Sequence, residues 1–355
     1  MITPDQDAGS VRLLNMLRIL RDEGHHVTFI ADNLDGNAKY AAMLTSIGIE
    51  VLHGHYAGSV RKVLRDRGSS LNAIVFCRYY IATQYVNIVR SLAPRAQIIF
   101  DTVDLHFVRE EREAQLLGNA AMVRSAALTR AKELSVIEKS DVTVVVSDVE
   151  KALLANIAPT ARVDIVSLIN TPISVGAPFA ERSGILFIGG FRHSPNVDAI
   201  KWYASEVLPL VRQLLPGVVT TVVGSNMPDE VAALRQDGLR ILGFVEDTDP
   251  LLRAARVSIA PLRYGAGIKG KINEAMNYGI PVVATHCAVE GMKLSTGHDV
   301  LVADDASDFA RAIARLHNDT ELWRSLSTAG RANVSAHFSP DAARPAIRAL
   351  LSSRK

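Results

Sequence analysis

The chain has 355 residues, of which 48% are hydrophobic and 21% are charged, and its formal net charge is +2. This composition is typical of a globular protein that is long enough for two domains with separate cores. A net charge so close to zero argues against a general nucleic-acid binder, so no nucleic-acid partner is expected. It suits small anionic ligands or a loose association with acidic lipid.

The compartment is predicted from three absences in the sequence. No apolar run approaches the roughly 18 to 20 residues of a membrane-spanning helix, and the N-terminus lacks the charged and apolar regions of a signal peptide. Cys77 and Cys287 are far apart and do not form a C-x-x-C pair, which predicts reduced thiols. We therefore expect a cytoplasmic protein, with peripheral attachment to the inner face of the plasma membrane as an open alternative.

Strand-like runs alternate with helical patterns along the first half, which predicts an α/β fold with a parallel sheet covered on both faces. One long helix is predicted from about Arg109 to Lys139, and the run from Ser147 to Glu150 has the pattern of a capping box at the start of another helix. The predicted strands of this half are Val27 to Ala31, Glu50 to His53, Ala73 to Cys77, Gln97 to Asp101, Val142 to Ser147 and Asp164 to Val166.

A break in the alternation predicts the domain boundary. The segment from Asn170 to Arg182 contains Pro172, Gly176 and Pro178 and has the composition of a linker. We therefore predict an N-terminal domain over 1–175, a C-terminal domain over 176–338, and a last segment, 339–355, whose helix packs back on the first domain. The predicted strands of the second domain are Ile185 to Ile188, Val218 to Val223, Arg240 to Leu242, Val257 to Ala260, Pro281 to Ala284 and Val300 to Val302.

The segment from Tyr264 to Met276 carries the most chemical information. It follows a predicted strand and leads into a helical pattern, so the order is strand, glycine-rich loop, helix. The first N–H groups of such a helix lack intrahelical partners, and the positive end of its dipole attracts a diphosphate. Glycines let the anion approach the backbone, lysines supply countercharge, and a carboxylate one turn into the helix accepts hydrogen bonds from a sugar diol. These residues are Gly265, Gly267, Lys269, Gly270, Lys271 and Glu274.

Two well-known phosphate-binding motifs match the residues of this loop, but their structural context or an essential residue is missing. Its glycines spell G-x-G-x-x-G, but the dinucleotide fingerprint sits in the first strand–helix turn of its βαβ unit, and this loop lies deep in the C-terminal half. Gly270-Lys271 imitates a Walker A loop, yet Ile272 stands where the Mg²⁺-binding Ser or Thr is needed. A loop that is glycine-rich only to turn tightly is the alternative without a ligand, although a plain turn rarely needs two lysines.

In order and spacing, the motifs resemble those of GT-B glycosyltransferases of family 4, glycosyl transferases group 1, of the bacterial polysaccharide type. Residues 185–199 resemble the first strand and turn of the nucleotide-sugar domain, and 243–247 resemble its base-binding loop. Residues 269–276 with 279–285 are similar to its donor-phosphate and ribose segment, and 98–110 to a first-domain segment. The resemblance covers about the whole chain. It implies two Rossmann-like, doubly wound parallel-sheet domains that face each other across a cleft.

The resemblance also implies an activity. The expected enzyme is a retaining, hexosyltransferase-like glycosyltransferase that moves a sugar from a nucleoside-diphosphate sugar to a cell-envelope polysaccharide or a lipid-linked acceptor. The second domain would bind the donor and the first the acceptor, with no cofactor besides the donor substrate. No metal is expected, because none of the 10 histidines forms a metal-ligand cluster with a second one at helical spacing and a carboxylate. A nucleotide-sugar epimerase and a catalytically silent binding module of a larger assembly stay open as alternatives.

Cationic residues and a carboxylate are the catalytic candidates in the second domain. Lys271 and Arg192 would neutralise the diphosphate leaving group, with Lys269 as a substitute for either. Glu274 matches the glutamate that the family places on the ribose. Arg192 could instead be a solvated loop charge.

His106 is the catalytic candidate of the first domain, where the resemblance places it facing the transferred sugar. A histidine there could hydrogen-bond a sugar hydroxyl or manage a proton, and a structural histidine is the alternative. Asp101 and Asp104 precede it and could orient it or cap the following helix.

Further donor contacts are expected in three loops. Gly9 and Ser10 would admit the donor phosphates or the acceptor at the start of the first helix, although Ser10 could simply be the N-cap of that helix. Phe244 could frame the base or pack beneath its own loop. The positions expected to bind the donor, besides those of the glycine-rich loop, are Gly9, Ser10, Gly189, Gly190, Gly243, Phe244 and Val245.

The sequence departs from the family pattern in two places. Family members often have a second glutamate eight positions before the ribose glutamate, where this chain has Ala266, so the sugar must be oriented by loop amides or another residue. The strand expected before the loop from Thr3 to Ser10 is also missing, which would leave sheet edges unpaired. We favour a sequence that begins inside a longer reading frame over a gap filled by another element.

Overall fold

A computed structural model describes residues 1–351, and these divide into two compact units. Unit 1 comprises Met1–Pro4, Gly9–Ile169 and the chain from Pro340, and unit 2 comprises Asp5–Ala8 and Asn170–Ser339. The predicted boundary at 175/176 therefore falls inside unit 2. Residues 352–355 of the predicted last segment lie outside the described residues.

Helices and parallel strands alternate through unit 1. The strands divide into two parallel sheets, one formed by the first two strands and one with the order β3-β4-β5-β6. The elements are α1 (Ala8–Asp22), β1 (Thr28–Ile30), α2 (Ala38–Ser46), β2 (Glu50–Leu52), α3 (Gly54–Ala57), α4 (Val60–Arg67), β3 (Ala73–Cys77), α5 (Tyr79–Leu92), β4 (Gln97–Asp101), α6 (His106–Leu117), α7 (Ala120–Lys139), β5 (Val142–Val145), α8 (Asp148–Ile157) and β6 (Val163–Ile165).

Helix α1 packs on the cores of both sheets of unit 1. Leu14 and Leu17 belong to the hydrophobic cluster of β1 and β2, whereas Met16 and Ile19 belong to a second cluster with β4 and β5. The two sheets are thus covered by one amphipathic helix. The division between them falls where the sequence predicts a missing strand, and how the chain begins stays a prediction.

The prediction of one helix from Arg109 to Lys139 is wrong, because the chain turns between α6 and α7. Gly118 has φ 62°, in the left-handed region that favours glycine, and ends α6. The side chain of Asn119 accepts hydrogen bonds from the N–H groups of Ala121 and Met122 and so begins α7. In the sequence, Gly118 indicates the end of one helix and Asn119 the start of the next, although the helical pattern continues on both sides.

Unit 2 contains a single parallel sheet with the order β12-β11-β10-β7-β8-β9. The first strand of unit 2, β7, lies in the middle of this sheet. Strands β8 and β9 are added on one side of it, and β10, β11 and β12 on the other, as in dinucleotide-binding folds. The elements are β7 (Ser183–Ile188), α9 (Ser194–Trp202), α10 (Leu208–Leu214), β8 (Thr220–Val223), α11 (Asp229–Ala232), β9 (Leu239–Gly243), α12 (Asp249–Ala254), β10 (Ala255–Ala260), α13 (Gly270–Asn277), β11 (Val282–Ala284), α14 (His286–Val289), β12 (Leu301–Val302), α15 (Ala306–Asn318) and α16 (Thr320–His337).

The last described helix, α17 (Pro340–Leu351), is part of unit 1. Ala343, Ile347 and Leu350 join the cluster that contains Met16 and Ile19. Arg344 and Arg348 donate hydrogen bonds to the Glu23 carboxylate at 2.7 and 2.5 Å, and these bonds lower the pKa of Glu23 to about 2. Among residues 1–351, no helix is both long and apolar enough to cross a bilayer.

Candidate functional site

The donor residues predicted in unit 2 lie at or after the ends of β7, β9 and β10, at the carboxyl edge of one sheet. Gly189, Gly190 and Arg192 follow β7, and the glycine-rich loop connects β10 to α13. Because β7 and β10 are hydrogen-bonded neighbours, these two loops lie side by side at the point where the winding reverses. Open α/β sheets bind their ligands at this point.

The glycine-rich loop has the backbone conformation that its sequence suggests. Gly265 has φ 154° and Gly267 has φ 65°, both of which L side chains rarely adopt. Helix α13 begins at Gly270, directly after the loop, so its N-terminus points into the loop. The buried Lys269 donates from Nζ to the carbonyl of Gly267 at 2.8 Å. This bond makes Lys269 part of the loop's own framework.

Lys271 connects α13 to the loop after β7. Its Nζ donates to Oδ1 of Asn196 and lies 4.5 Å from the centroid of the Phe187 ring. Asn196 in turn donates from Nδ2 to the Gly190 carbonyl at 2.7 Å. Burial, and secondarily the charge of Lys269, lower the pKa of Lys271 to about 7. A bound anion would restore the charge of this ammonium group.

Glu274 lies one turn into α13, on the same helix as Lys271. Its carboxylate makes no hydrogen bond or ion pair with any residue that the structure describes. Burial raises the pKa of Glu274 to about 7. Glu274 is half-buried, and a carboxylate with a raised pKa and no protein partner at a loop of this kind is suited to accept hydrogen bonds from a ligand.

Close backbone packing requires glycine at Gly224, and Gly189 lies directly beneath the side chains of Asn196 and Lys271. A Cβ at Gly224, directly after β8, would lie 1.9 Å from the Gly189 carbonyl oxygen. A Cβ at Gly189 would lie 2.8 Å from Nδ2 of Asn196 and 3.1 Å from Nζ of Lys271. The sequence analysis assigned no role to Asn196 or Gly224. Gly224 directly follows the predicted strand Val218 to Val223, and a glycine there could have indicated that another backbone segment comes close.

The segment Asp5–Ala8, which belongs to unit 2, lies against the loops after β7 and β8. The Ser225 hydroxyl donates to the Gln6 carbonyl at 3.4 Å, and a Cβ at Gly190 would lie 3.1 Å from that same oxygen. Gly190 is therefore also a position of close approach.

The predicted base-binding loop follows β9. Gly243 has φ 74°, and its carbonyl accepts a hydrogen bond from the Gly224 N–H at 2.9 Å. The Phe244 side chain is 51% exposed, so it does not pack beneath the loop, and Val245 is half-buried. Arg192 is exposed and has no hydrogen bond or ion pair with residues 1–351. This is what the alternative of a solvated loop charge predicts. Its contact with a diphosphate stays a prediction.

His106 is a buried residue at the start of α6 in unit 1. Its Nδ1 lies 3.1 Å from the Asp104 carbonyl oxygen and 3.6 Å from a carboxylate oxygen of Glu133. The same Glu133 accepts hydrogen bonds from the N–H groups of His106 and Phe107 at 3.2 and 2.9 Å. The imidazole is thus fixed by the fold of unit 1, and its role towards a sugar stays a prediction.

The structure assigns Asp101 and Asp104 different partners. Asp101 forms a buried ion pair with Arg12, whose Nη1 lies 2.6 Å from Oδ2, so Asp101 does not orient His106. Asp104 pairs with Arg109 in addition to its contact with His106. Of these two carboxylates only that of Asp104 lies near the imidazole, with Oδ1 3.5 Å from Nδ1, and its role in orienting His106 stays a prediction.

The N-cap interpretation of Ser10 is wrong, because α1 already begins at Ala8. The buried Ser10 hydroxyl accepts a hydrogen bond from the Thr3 N–H at 3.0 Å and closes the turn before the helix. Gly9 lies beside it within α1. The predicted contacts of Gly9 and Ser10 with a donor or acceptor stay predictions.

Residues 1–351 contain no group of three or more His, Cys, Asp or Glu side chains that could hold a metal ion. The charged residues of the loop between β10 and α13 and of the first turn of α13 are Arg263, Lys269, Lys271 and Glu274. Arg263 pairs with Asp198.

Comparison with known proteins gives a family match to the second half and a fold match to the whole chain. Residues 182–319 match the model of glycosyl transferases group 1. A lipopolysaccharide core biosynthesis glycosyltransferase, LpsE of Rhizobium meliloti, is 30% identical over 39% of this chain and 43% of its own length. An uncharacterized 44.6 kDa protein in the cps region of Klebsiella pneumoniae is 28% identical over 36% of either chain. The matched region thus spans less than half the length of these curated relatives.

Among solved structures, Anabaena Alr3699/HepE in complex with UDP-glucose superposes with a TM-score of 0.73. The match covers 100% of this chain and 98% of that one at 16% sequence identity, so it concerns the fold. Together these matches confirm the predicted fold class and family resemblance. The chain has the GT-B fold, and its residues 182–319 are similar to glycosyl transferases group 1.

Proposed function

We propose that this protein is a retaining, metal-independent glycosyltransferase that moves a sugar from a nucleoside-diphosphate sugar to a cell-envelope polysaccharide or a lipid-linked acceptor. Unit 2 binds the donor and unit 1 the acceptor. The observation that carries the proposal is the pair Lys271 and Glu274 on one turn of α13, beside the glycine-rich loop. One is a half-buried cation held by Asn196, and the other is a half-buried carboxylate without a partner among the described residues. Burial lowers the pKa of the first and raises that of the second.

The pair matches the two ends of a sugar nucleotide. The diphosphate binds at the N-terminus of α13, where Lys271 and the helix dipole stabilise the charge that develops as the glycosidic bond to the donor breaks. The ribose hydroxyls donate hydrogen bonds to Glu274. In this arrangement protein cations do the work that Mg²⁺ does in other transferases, with Arg192 as the second candidate.

The relatives support the choice of substrates. HepE was crystallised with UDP-glucose, and LpsE is named for lipopolysaccharide core biosynthesis. Uridine diphosphate sugars are therefore the first donors to test, and envelope saccharides the first acceptors.

The activity is tested by incubating the purified chain with a panel of nucleotide sugars and envelope saccharides or lipid-linked acceptors. We expect nucleoside diphosphate release that depends on the acceptor and persists in excess chelator. The product linkage should keep the anomeric configuration of the donor, as read from the anomeric proton coupling in its NMR spectrum. Inversion would contradict the retaining mechanism, and loss of turnover in chelator would contradict metal independence.

A catalytically silent binding module is the second candidate, and Ala266 is the observation in its favour. This residue is buried and stands where many relatives carry a glutamate near the donor sugar. Donor binding without diphosphate release under every acceptor condition would favour the module. Conversion of the nucleotide sugar to its epimer, with no transfer, would favour an epimerase.

Donor binding should exchange protons with the buffer, and the direction should reverse near pH 7. At pH 8 the free Lys271 is mostly neutral, and a bound diphosphate raises its pKa again, so the complex takes up a proton. At pH 6 the free Glu274 is mostly protonated, and ribose hydroxyls that donate to the carboxylate lower its pKa, so the complex releases a proton. Calorimetry in buffers of different ionisation enthalpy measures both exchanges.

Two variants show which residue takes up the proton at pH 8 and which releases the proton at pH 6. Lys271→Met should remove the uptake at pH 8 and keep the release at pH 6, whereas Glu274→Gln should do the reverse. If native binding enthalpies were independent of the buffer at both pH values, neither residue would meet the donor as proposed.

A further inference from the structure

The carboxyl end of α13 is held by side chains from outside the helix. The N–H groups of Gly279, which has φ 71°, and Ile280 donate at 2.9 Å to carbonyls of the last turn, as in a Schellman motif. This motif leaves the carbonyls of Asn277 and Tyr278 to other partners. The Asn277 carbonyl accepts a hydrogen bond from Nη1 of Arg331 at 3.0 Å, and the Tyr278 carbonyl accepts one from a second arginine.

The second arginine is Arg182, the last residue of the linker segment, by which we mean residues 170–182. Its Nη2 lies 2.8 Å from the Tyr278 carbonyl oxygen, and its Nε donates to the Ala177 carbonyl at 2.6 Å. Its Nη1 donates to two carbonyls at the end of α12, at 3.2 and 3.0 Å. One guanidinium group therefore joins the linker segment to the carboxyl ends of α12 and α13.

This position requires a buried guanidinium group. Arg182 is 1% exposed and forms no ion pair with any described residue, so the carbonyls at two helix C-termini compensate its charge. Burial, and secondarily the charge of Arg253, lower the pKa of Arg182 to about 10, and the group therefore stays charged at neutral pH. A Cβ at Gly176 would collide with Nη2, so glycine lets the linker segment lie against the guanidinium. The ammonium group of a lysine lacks the planar fork that reaches all these carbonyls.

Glu274 lies between two separate anchors of α13. Near the N-terminus, Lys271 is bonded to Asn196, and at the opposite end the helix is bonded to Arg182. The Glu274 carboxylate has no partner among residues 1–351, so its position depends on the helix alone. If the carboxyl end were released, α13 would pivot about its N-terminal anchor. Glu274 would then move further than Lys271, because it lies almost one turn nearer to the released end.

We propose that Arg182 is a positioning residue for the donor, which holds the carboxyl end of α13 so that the Glu274 carboxylate meets both ribose hydroxyls. The inference rests on the proposed function, because it takes the ribose as the partner of Glu274. Arg331 acts in the same direction, since it bonds the Asn277 carbonyl and the Ile173 carbonyl of the linker segment. The strength of the ribose contact is thus determined at the end of α13 that lies away from the diphosphate.

Calorimetry with UDP and with 2′,3′-dideoxyuridine diphosphate, which lacks both hydroxyls, measures the ribose contact. The measurement is made at pH 8, because the pKa of Glu274 is about 7 and its carboxylate is then mostly ionised. We expect the native chain to bind UDP about 100-fold more tightly than the dideoxy nucleotide, since each hydroxyl donates a hydrogen bond to a carboxylate. Arg182→Lys keeps the charge and loses the fork, and this affinity ratio should fall about tenfold.

The ratio separates positioning from stability. A loss of stability alone would weaken the binding of both nucleotides equally and leave their ratio unchanged. Arg256→Lys is the matched control, because Arg256 is half-buried and lies 4.3 Å from the ring of Phe179 in the linker segment, but forms no hydrogen bond with α13. It should keep the native ratio. If Arg182→Lys does not fold, Arg331→Lys decides, and it should lower the ratio as well.

The outcomes distinguish this inference from the proposed function. If the native chain prefers UDP and Arg182→Lys keeps the native ratio, or if Arg256→Lys lowers the ratio equally, the positioning role is overturned and the proposed function stands. A native ratio near one would contradict the ribose contact of Glu274, and the inference would fall with it. In a Glu274→Gln background the ratio should already be low, and Arg182→Lys should lower it no further. A further tenfold fall there would overturn the inference, because Arg182 would then act through another residue.

Discussion

Replacing Lys271 by methionine is expected to lower kcat/KM for the donor by about 100-fold to 1000-fold, the range found when one preorganised group that stabilises a developing anion is removed. Lys271 is the cation that the structure aims from α13 towards the loop after β7, through Asn196. Methionine fills similar volume without charge. Steady-state kinetics and calorimetric donor affinity measure the loss.

Stability separates this functional effect from damage to the fold. Burial lowers the pKa of Lys271, so the folded state is penalised for carrying the charge below about pH 7, and that penalty fades as the pH rises towards 10.5. Lys271→Met should therefore leave the free energy of unfolding unchanged or higher at pH 6. The control Lys201→Met removes an exposed lysine that pairs with Glu230 at 2.7 Å and should keep native kinetics. Donor affinity within about twofold of native in Lys271→Met would remove this residue from the site.

Replacing Asp101 by alanine is expected to lower the free energy of unfolding by about 3 to 5 kcal/mol, because it leaves a buried guanidinium without its counter-charge. Both side chains of the Arg12–Asp101 pair are 1% exposed. Asp101 also accepts the Val103 N–H at 3.2 Å, where the backbone has φ 66°. Denaturant titration followed by circular dichroism measures the change.

Two comparisons make the Asp101 prediction specific. Asp66→Ala breaks an exposed pair with Lys62 at 2.6 Å and should cost about 0 to 1 kcal/mol. Arg12→Met combined with Asp101→Ala removes both charges and should be less destabilised than Asp101→Ala alone. If Asp101→Ala proves too unstable to purify while the double variant folds, that contrast identifies the unpaired Arg12 charge as the cause of the loss. Equal costs for Asp101→Ala and Asp66→Ala would contradict the buried-pair account.

The strands of both units were predictable because most are short apolar runs bounded by polar or turn residues, and the run from Gln97 to Asp101 is buried at every position. Gln97 to Asp101 and Ala73 to Cys77 were predicted to the residue. The α6–α7 hairpin was missed because helical periodicity continues across Gly118-Asn119, and only the left-handed glycine and the asparagine cap break it. Periodicity averages over a window, whereas a turn depends on two residues.

Within the site, the glycine-rich loop was predictable because its positive φ angles can be adopted readily only by glycine. The Lys271–Asn196–Gly190 connection was not predictable, because it joins residues far apart in sequence that become neighbours only when β7 pairs with β10. The partner of Asp101 was missed for the same reason, since Arg12 is supplied by α1. The sequence thus predicted the features that depend on neighbouring residues, and it did not predict contacts between residues far apart in the chain.

A crystal structure of the chain with UDP tests the central claim most directly. The account predicts the diphosphate at the N-terminus of α13, with phosphate oxygens in hydrogen-bond contact with Lys271 Nζ, and the ribose hydroxyls on the Glu274 carboxylate. A diphosphate bound away from the Gly265–Glu274 segment, with Lys271 and Glu274 left as they are in the free protein, would contradict it.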